Sequence, residues 1–342
     1  MLIKPKKLEK GDTIAIIAPS AGLAKIFPHR LDKAIKFLES QGYRIKEFPC
    51  TRKNNGWESA PARERAKDIM DAFLDKDVRA IICEIGGTVS NQTLQYLNFD
   101  LIKNNPKIFC GYSDISNLHY AIQVQSELIT FYGPCAMTQF GEFPKPLDYT
   151  LRYFLKATTS SESIGIVSPS EEWTDETLNW GKKLDLTRPR NLRPNSGHEW
   201  LREGNAEGQI IGGCLTSIVN LTGTNFWPDH KDKILFLEIP EGQEFDKGEP
   251  LAYVDMFLEH LTLTGVFNEI KGLIFGRPFK YSEEEWALLK KKLIERTENH
   301  DFPILFGADV GHTDPQITIP LGVKVRIDSK KNSFEILEAG VN

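Results

Sequence analysis

The chain has 342 residues, of which 40% are hydrophobic, 26% charged and 10% aromatic, values of a folded globular chain that exclude disorder and fibrous repeats. Its 42 basic and 47 acidic residues leave a net charge of -5, which makes no footprint for a nucleic-acid polymer and points instead to a small-molecule or short-peptide substrate. No apolar run approaches the ~18 residues of a membrane span, and "MLIKPKKLEKGD" is followed by no apolar h-region, so the expectation is a cytoplasmic protein with no signal peptide and no membrane association.

At ~150 residues per domain the length predicts two domains. The first half alternates strands and helices. "DTIAIIAP" (12–19) reads as a buried strand, and Leu31, Ala34, Ile35 and Leu38 keep the i, i+3, i+4, i+7 spacing of a helix that Gly42 ends. "YRIKEFP" is the next strand, and Ala66, Ile69, Met70 and Phe73 mark the next helix. "VRAIICEI" (78–85), a helix near 90–97, "KIFCGY" (107–112), a helix from about 115 and "LITFYGP" continue the series. Strands alternating with helices imply right-handed crossovers, hence an α/β N-terminal domain with a parallel sheet and helices on both faces.

From about 158 to 207 the pattern gives way to a polar stretch rich in Ser, Asn, Arg, Pro and Trp, the mark of a linker or a functional loop. Periodicity returns with "GQIIGGCL", "KILFLEI" (233–239), a helix over 250–264, "IKGLIFGRP", a helix over 282–297, "PILFGADVG" and a closing hairpin that ends on "SFEILE". The expected division is an N-terminal domain over 1–160, a linker and substrate loop over 161–207, and a smaller mixed α/β C-terminal domain over 208–342.

In open α/β sheets ligands sit beyond the carboxyl ends of strands, so polar residues one step past an apolar strand are candidates for chemistry. Ser113 follows "KIFCGY", Glu238 ends "KILFLE" and His312 follows "PILFGADVG". A serine hydroxyl needs an imidazole to take its proton, and the imidazole needs a carboxylate to fix its tautomer and stabilise its charge. Backbone amides must then hold the oxyanion: Asp114 at a helix start supplies one, and the Gly86-Gly87 pair can bring a second close because no Cβ intervenes. Taken singly, each has a plainer account: Ser113 as an N-cap, Glu238 as half of a salt bridge, His312 as a turn residue and the glycines as a tight turn.

Metal and nucleotide motifs fail. "HEWLR" (198–202) has Arg202 where a zincin needs its second histidine, there is no C-x-x-C pair, and "IGGTVSN" is neither a dinucleotide fingerprint nor a P-loop. No cofactor is expected. The five cysteines are odd in number and far apart, as reduced structural thiols are. His29, His119, His198, His230, His260 and His300 have no ligand spacing and are expected to be structural or solvated.

These residues, with "GDTIAIIAPS", "YLNFDLIKNNPKIFCGYSDIS", "GPCAMTQFGE", "GQIIGGCLTSIVNLTGTNFWPD", "GLIFGRP" and "GHTDPQITIPLG", run in an order that resembles the serine carboxypeptidase family of the LD-carboxypeptidases and microcin C immunity carboxypeptidases. The resemblance covers nearly the whole chain. It implies that Ser113 is the nucleophile, Glu238 the acid and His312 the base, with oxyanion amides at Gly87 and Asp114. It also draws Gly86, Ser90 and Asn91 into the substrate-binding region. A cytoplasmic, metal-free homodimer that cleaves an amide next to a free carboxylate end or a nucleotide-like group is implied as well.

The polar stretch is similar to the longer loop of the immunity branch, in which Trp173 and Trp180 either stack on a purine or pack the loop against the body or a dimer partner. Arg190 and Arg193 meet a phosphate or a carboxylate, or are solvated. Cys214 stands where many relatives have asparagine, which removes a polar contact. The expected function is therefore a microcin C immunity-type carboxypeptidase, with an LD-carboxypeptidase of murein tetrapeptide as the alternative and an inactive small-ligand binding protein as the reading from a different class.

Overall fold

The computed structural model describes residues 2–342. Its N-terminal sheet is built from β1 (Thr13–Ile17), β2 (Arg44–Glu47), β3 (Val78–Cys83), β4 (Ile108–Gly111) and β5 (Phe131–Tyr132), ordered β5-β4-β3-β1-β2 and parallel throughout. Every residue of β1 and β4 is buried, so these strands read as unbroken apolar runs, as in a sheet covered on both faces. The covering helices α1 (Pro28–Ser40), α2 (Ala62–Leu74), α3 (Phe99–Asn104), α4 (Ser116–Ser126) and α5 (Asp148–Thr159) supply the crossovers and flanks. On α1 the buried set includes Leu31, Ala34 and Leu38, and on α2 Ala66, Ile69 and Phe73, as the helical spacing predicts.

The C-terminal sheet collects β6 (Gly165–Ile166) and, beyond a small ribbon of β7 (Glu172–Trp173) and β8 (Arg193–Pro194), β9 (Glu199–Arg202), β10 (Asn205–Cys214), β11 (Ile234–Glu238), β12 (Gly272–Gly276) and β13 (Ile304–Ala308). After β14 (Ile319–Pro320), the hairpin of β15 (Lys324–Asp328) and β16 (Ser333–Ile336) completes it. Strands β10 to β13 are parallel and fully paired, and β10 changes partner midway: Asn205–Gln209 run antiparallel to β15, and Ile210–Cys214 parallel to β11. Helices α6 (Leu215–Ile218), α7 (Leu251–Leu263), α8 (Val266–Glu269) and α9 (Glu283–Arg296) surround it. Ser282 and Glu285 form a reciprocal capping box at the start of α9.

One local expectation is corrected, and two further segments take a definite form. The segment near 90–97 is a 3₁₀ turn, Ser90–Tyr96, not an α-helix. "EWLR" is a strand antiparallel to β13, so the zincin-like motif has no helix to stand on. The helix α5 had no counterpart in the periodicity, because its buried face is made of Tyr149, Thr150, Tyr153, Phe154 and Ala157 rather than aliphatic residues. One strand also crosses between the sheets: β14, which follows His312 in sequence, pairs antiparallel with β5 of the N-terminal sheet.

Candidate active site

Strand β4 is followed by Tyr112 in extended geometry and then by Ser113 at φ 65, after which a 3₁₀ turn leads into α4. A left-handed conformation costs an L-residue about 1–2 kcal/mol, and it turns the serine side chain out of the strand line at the top of the sheet. The surroundings enforce it. Ser116 Oγ donates to the Ser113 carbonyl (2.6 Å) and accepts from the Cys214 amide of β10 (2.9 Å), riveting the elbow to the second sheet. Beneath, buried His119 meets the Gly111 carbonyl with Nε2 at 2.9 Å, and burial pulls its pKa down to about 4, so it stays neutral. Gly86 lies against Ser113: a Cβ there would stand 2.7 Å from Ser113 Cβ and 3.0 Å from its hydroxyl.

Gly87 follows Gly86 in the chain, and Asp114 follows Ser113. Among the described residues their amides donate to no protein acceptor, and Gly87, at φ 154, approaches Ser20 and Ala21 too closely for a side chain. The Asp114 side chain is committed elsewhere: its Oδ2 accepts from Ser20 Oγ (2.5 Å) and from the Ser90 amide (3.0 Å). Ser90 Oγ in turn donates to the Asp114 carbonyl (2.6 Å). The loops of Ser20 and Ser90 are thus tied to the elbow, and among the described residues the amides of Gly87 and Asp114 keep no protein acceptor.

His312 Nδ1 lies 2.7 Å from Glu238 Oε2. The second oxygen of Glu238 accepts from the Tyr132 hydroxyl, which itself accepts from the Ser113 amide at 3.2 Å. Glu238 is fully buried, and both of its oxygens are used. Burial pulls the His312 pKa down, but the charge of Glu238, then that of Glu241, and the hydrogen bond to Glu238 outweigh it and hold the group up at about 9. His312 Nε2 stands 3.5 Å from Glu241 Oε2. The Tyr112 ring, centred 4.9 Å away, walls the imidazole on the elbow side.

The turn that carries His312 is anchored through Asp314. Its backbone exchanges two hydrogen bonds with Thr174 (2.6 and 2.9 Å), and its carboxylate takes Gln139 Nε2 (3.2 Å) and Arg190 (2.8 Å). Arg190 also pairs with Glu142 at 2.7 Å. Neither solvated nor open to a phosphate, Arg190 joins the polar stretch to the turn that carries His312.

The tryptophans part company. Trp173 is buried between the guanidinium groups of Arg193 (3.7 Å) and Arg277 (4.6 Å), so its faces are already covered. Trp180 is half-buried, edge-on to Phe27 and under Arg30. Ser90, the first residue of the 3₁₀ turn, is fully buried and holds Asp114 and Asn117, whereas Asn91, the second, is half-buried. Cys214 Sγ turns to Thr216 Oγ1 at 3.3 Å. Among the described residues no group of three His, Cys, Asp or Glu could hold a metal ion. Tyr132 went unmarked in the sequence because it closes an apolar strand; standing at the carboxyl end of the strand next to the nucleophile's was the available signal.

The profile of the LD-carboxypeptidase N-terminal domain matches residues 14–133, and that of the LD-carboxypeptidase C-terminal domain matches 207–327. The chain is 33% identical over 337 residues to the microcin C7 self-immunity protein MccF of Escherichia coli, covering 97% of this chain and 94% of that protein. It is 30% identical over 342 residues to a Bacillus subtilis protein named "Probable murein peptide carboxypeptidase", covering 99% and 95% respectively. The solved structure of MccF in complex with aspartyl sulfamoyl adenosine superposes with a TM-score of 0.91 at 31% identity over 99% of this chain and 100% of that one.

Proposed function

The chain belongs to the LD-carboxypeptidase family and is a serine-type carboxypeptidase, and from that premise we propose that Ser113 is its nucleophile, His312 its general base and Glu238 the acid that orients the base. The observation that carries this reading is the relay from the elbow through Tyr132 to the buried Glu238 and on to His312 Nδ1. Glu238 fixes Nδ1 as the protonated nitrogen, which leaves Nε2 to take the proton of Ser113.

The cycle follows. Ser113 Oγ attacks the amide carbonyl as His312 Nε2 accepts its proton, and the oxyanion meets the amides of Gly87 and Asp114. The tetrahedral intermediate collapses, His312 returns the proton to the departing nitrogen, and an acyl-enzyme remains. Water then attacks with His312 again as base, releasing the acid and restoring Ser113. The residues carry every proton; no cofactor enters the scheme.

For the substrate we propose an aminoacyl-nucleotide of the kind that microcin C immunity enzymes detach. Likeness to MccF over nearly the full length supports this. Likeness to the Bacillus protein supports a second reading, release of terminal D-alanine from murein tetrapeptide. A paired assay separates them: wild type and Ser113→Ala against an aminoacyl sulfamoyl adenosine and against an L,D-tetrapeptide ending in D-alanine. Serine-dependent cleavage of the first compound alone supports the immunity reading, and of the second alone the murein reading. Near wild-type rates from Ser113→Ala would remove the triad.

A further inference from the structure

Glu241 is a carboxylate that the triad does not need. It lies three residues after Glu238, in the turn that leaves β11, with its Oε2 3.5 Å from His312 Nε2. Since Glu238 already holds Nδ1, the imidazole has a carboxylate at each nitrogen. On the reading above, Nε2 is the atom that trades protons with Ser113 and with the leaving group, and Glu241 stands beside it. In that place it competes with the serine hydroxyl for the base and repels an anionic substrate group.

The two carboxylates differ in what holds them. Glu238 is fully buried with both oxygens bonded, whereas the Glu241 side chain is 32% exposed, and His312 is its ion-pair partner among the described residues. The turn is closed by the backbone bridge of Glu241 with Gly248 and carries Glu244, Asp246 and Glu249 against Lys247, which is paired with Glu244. Burial and the charge of Glu241 both raise the pKa of Glu249, a sign of uncompensated negative charge at this mouth. Two arginines reach the turn that carries His312 and both are taken, Arg190 by Glu142 and Asp314, and Arg277, 3.3 Å from Thr313 Oγ1, by Asp309. Among the described residues these cations are therefore paired with carboxylates of their own, and no lysine or arginine pairs with Glu241.

We propose that Glu241 is a specificity-determining residue that recognises a cationic group of the substrate, an ammonium or guanidinium carried near the scissile amide, and that this pairing draws Glu241 off His312. The proposal rests on the serine carboxypeptidase reading above. Around the imidazole stand Glu238 from β11, Glu241 from the turn after it, Asp314 from the base's own turn and the Tyr112 ring from the elbow. Of the three carboxylates Glu241 alone is substantially exposed, so it alone can change partner. Once it does, Nε2 gives its proton to solvent more readily and faces Ser113 as a neutral base.

The test compares kcat/KM of wild type, Glu241→Gln and Glu241→Lys for lysyl, norleucyl, N-acetyl-norleucyl and glutamyl sulfamoyl adenosine. Wild type is expected to favour an ammonium-bearing compound over its uncharged counterpart (lysyl over norleucyl, or norleucyl over its N-acetyl form) by at least ~10-fold. Glu241→Gln should erase that preference and move the acid limb of the kcat/KM profile to lower pH, and Glu241→Lys should favour the glutamyl compound. Equal discrimination in wild type and Glu241→Gln, or a uniform loss on all four compounds with the acid limb unmoved, overturns the proposal. Labelling of Ser113 by a fluorophosphonate keeps the two readings apart: a labelled enzyme without ammonium preference sinks the role of Glu241 alone. If none of the four compounds turns over, calorimetric binding of the same set to Ser113→Ala and to Ser113→Ala with Glu241→Gln decides, and absence of a Glu241-dependent preference counts against it.

Discussion

Tyr132 donates its hydroxyl to Glu238 Oε1 and accepts the Ser113 amide on the same oxygen, so one phenol joins the Ser113 backbone to the Glu238 carboxylate across the two sheets. Neither oxygen of Glu238 faces water, and the phenol therefore holds both the position of the carboxylate and the turn that strains Ser113.

Tyr132→Phe removes this link at nearly constant shape. Leaving Glu238 Oε1 buried without its donor is expected to destabilise the fold by about 1–3 kcal/mol, read as a lower urea midpoint. The rate should fall as well, with kcat reduced more than KM is changed, because the loss is in alignment of the base. An unchanged urea midpoint together with an unchanged kcat would show the link to be idle.

The left-handed backbone at Ser113 gives a second expectation. Ser113→Gly and Ser113→Ala should both abolish turnover, but glycine adopts φ 65 without the Cβ penalty, so Ser113→Gly should unfold at higher urea than Ser113→Ala, by about 1 kcal/mol. Equal stabilities would mean that the elbow is not strained in solution.

The pH dependence has a definite sign. Burial opposes the charge on His312, the carboxylates of Glu238 and Glu241 outweigh it, and the folded group titrates at about 9, above its ordinary value of 6.5. The protonated form is thus favoured by folding: this contribution to stability is complete below about pH 6.5 and is lost as pH climbs through about 9. Catalysis needs the neutral base, so kcat/KM, which reports the free enzyme, should rise along an acid limb placed well above 6.5. Glu238→Gln should lower that limb while cutting kcat by about 10³- to 10⁴-fold through loss of the correct tautomer. A limb at 6.5 in wild type would contradict this account.

Arg190 tests the loop. With its guanidinium gone, Glu142 and Asp314 lose their shared counter-charge in a poorly solvated place, a change that costs about 3–5 kcal/mol for buried pairs and somewhat less here because the Arg190 side chain is 15% exposed. Arg190→Met is expected to lower the melting temperature, expose residues 174–193 to proteolysis and reduce kcat by freeing the turn that carries His312. Wild-type resistance of that segment to trypsin and chymotrypsin would refute the anchoring role.

The parallel strands and the two long helices α1 and α2 were legible because their apolar spacing is dictated by burial on both faces of a sheet. Ser113, Glu238 and His312 were legible as candidates because each stands at, or a few residues beyond, the carboxyl end of a strand. Other features depend on partners distant in sequence, which no local pattern records. The helix α5 hides its face in aromatics and threonines; Trp173 is covered by Arg193 and Arg277, 20 and 104 positions away; Tyr132 and Glu241 acquire meaning only from what they meet. Arg190 is the clearest case. The sequence left it open between solvent, phosphate and carboxylate, and it is the fold that supplies two carboxylates 48 and 124 residues away.

The crossing of β14 into the N-terminal sheet bears on how the molecule can be taken apart. Its pairing with β5 lies seven residues beyond His312 and one strand away from the nucleophile's own, so the sheet that presents the serine borrows its last edge from the far end of the chain. A cut in the polar stretch would leave the first fragment with an unprotected strand edge, prone to self-association, and the second with a base whose supporting turn has no sheet to dock on. Complementation by mixing the two pieces should therefore restore activity only as fast as β14 finds its place, which makes the appearance of activity a direct clock for the last step of assembly.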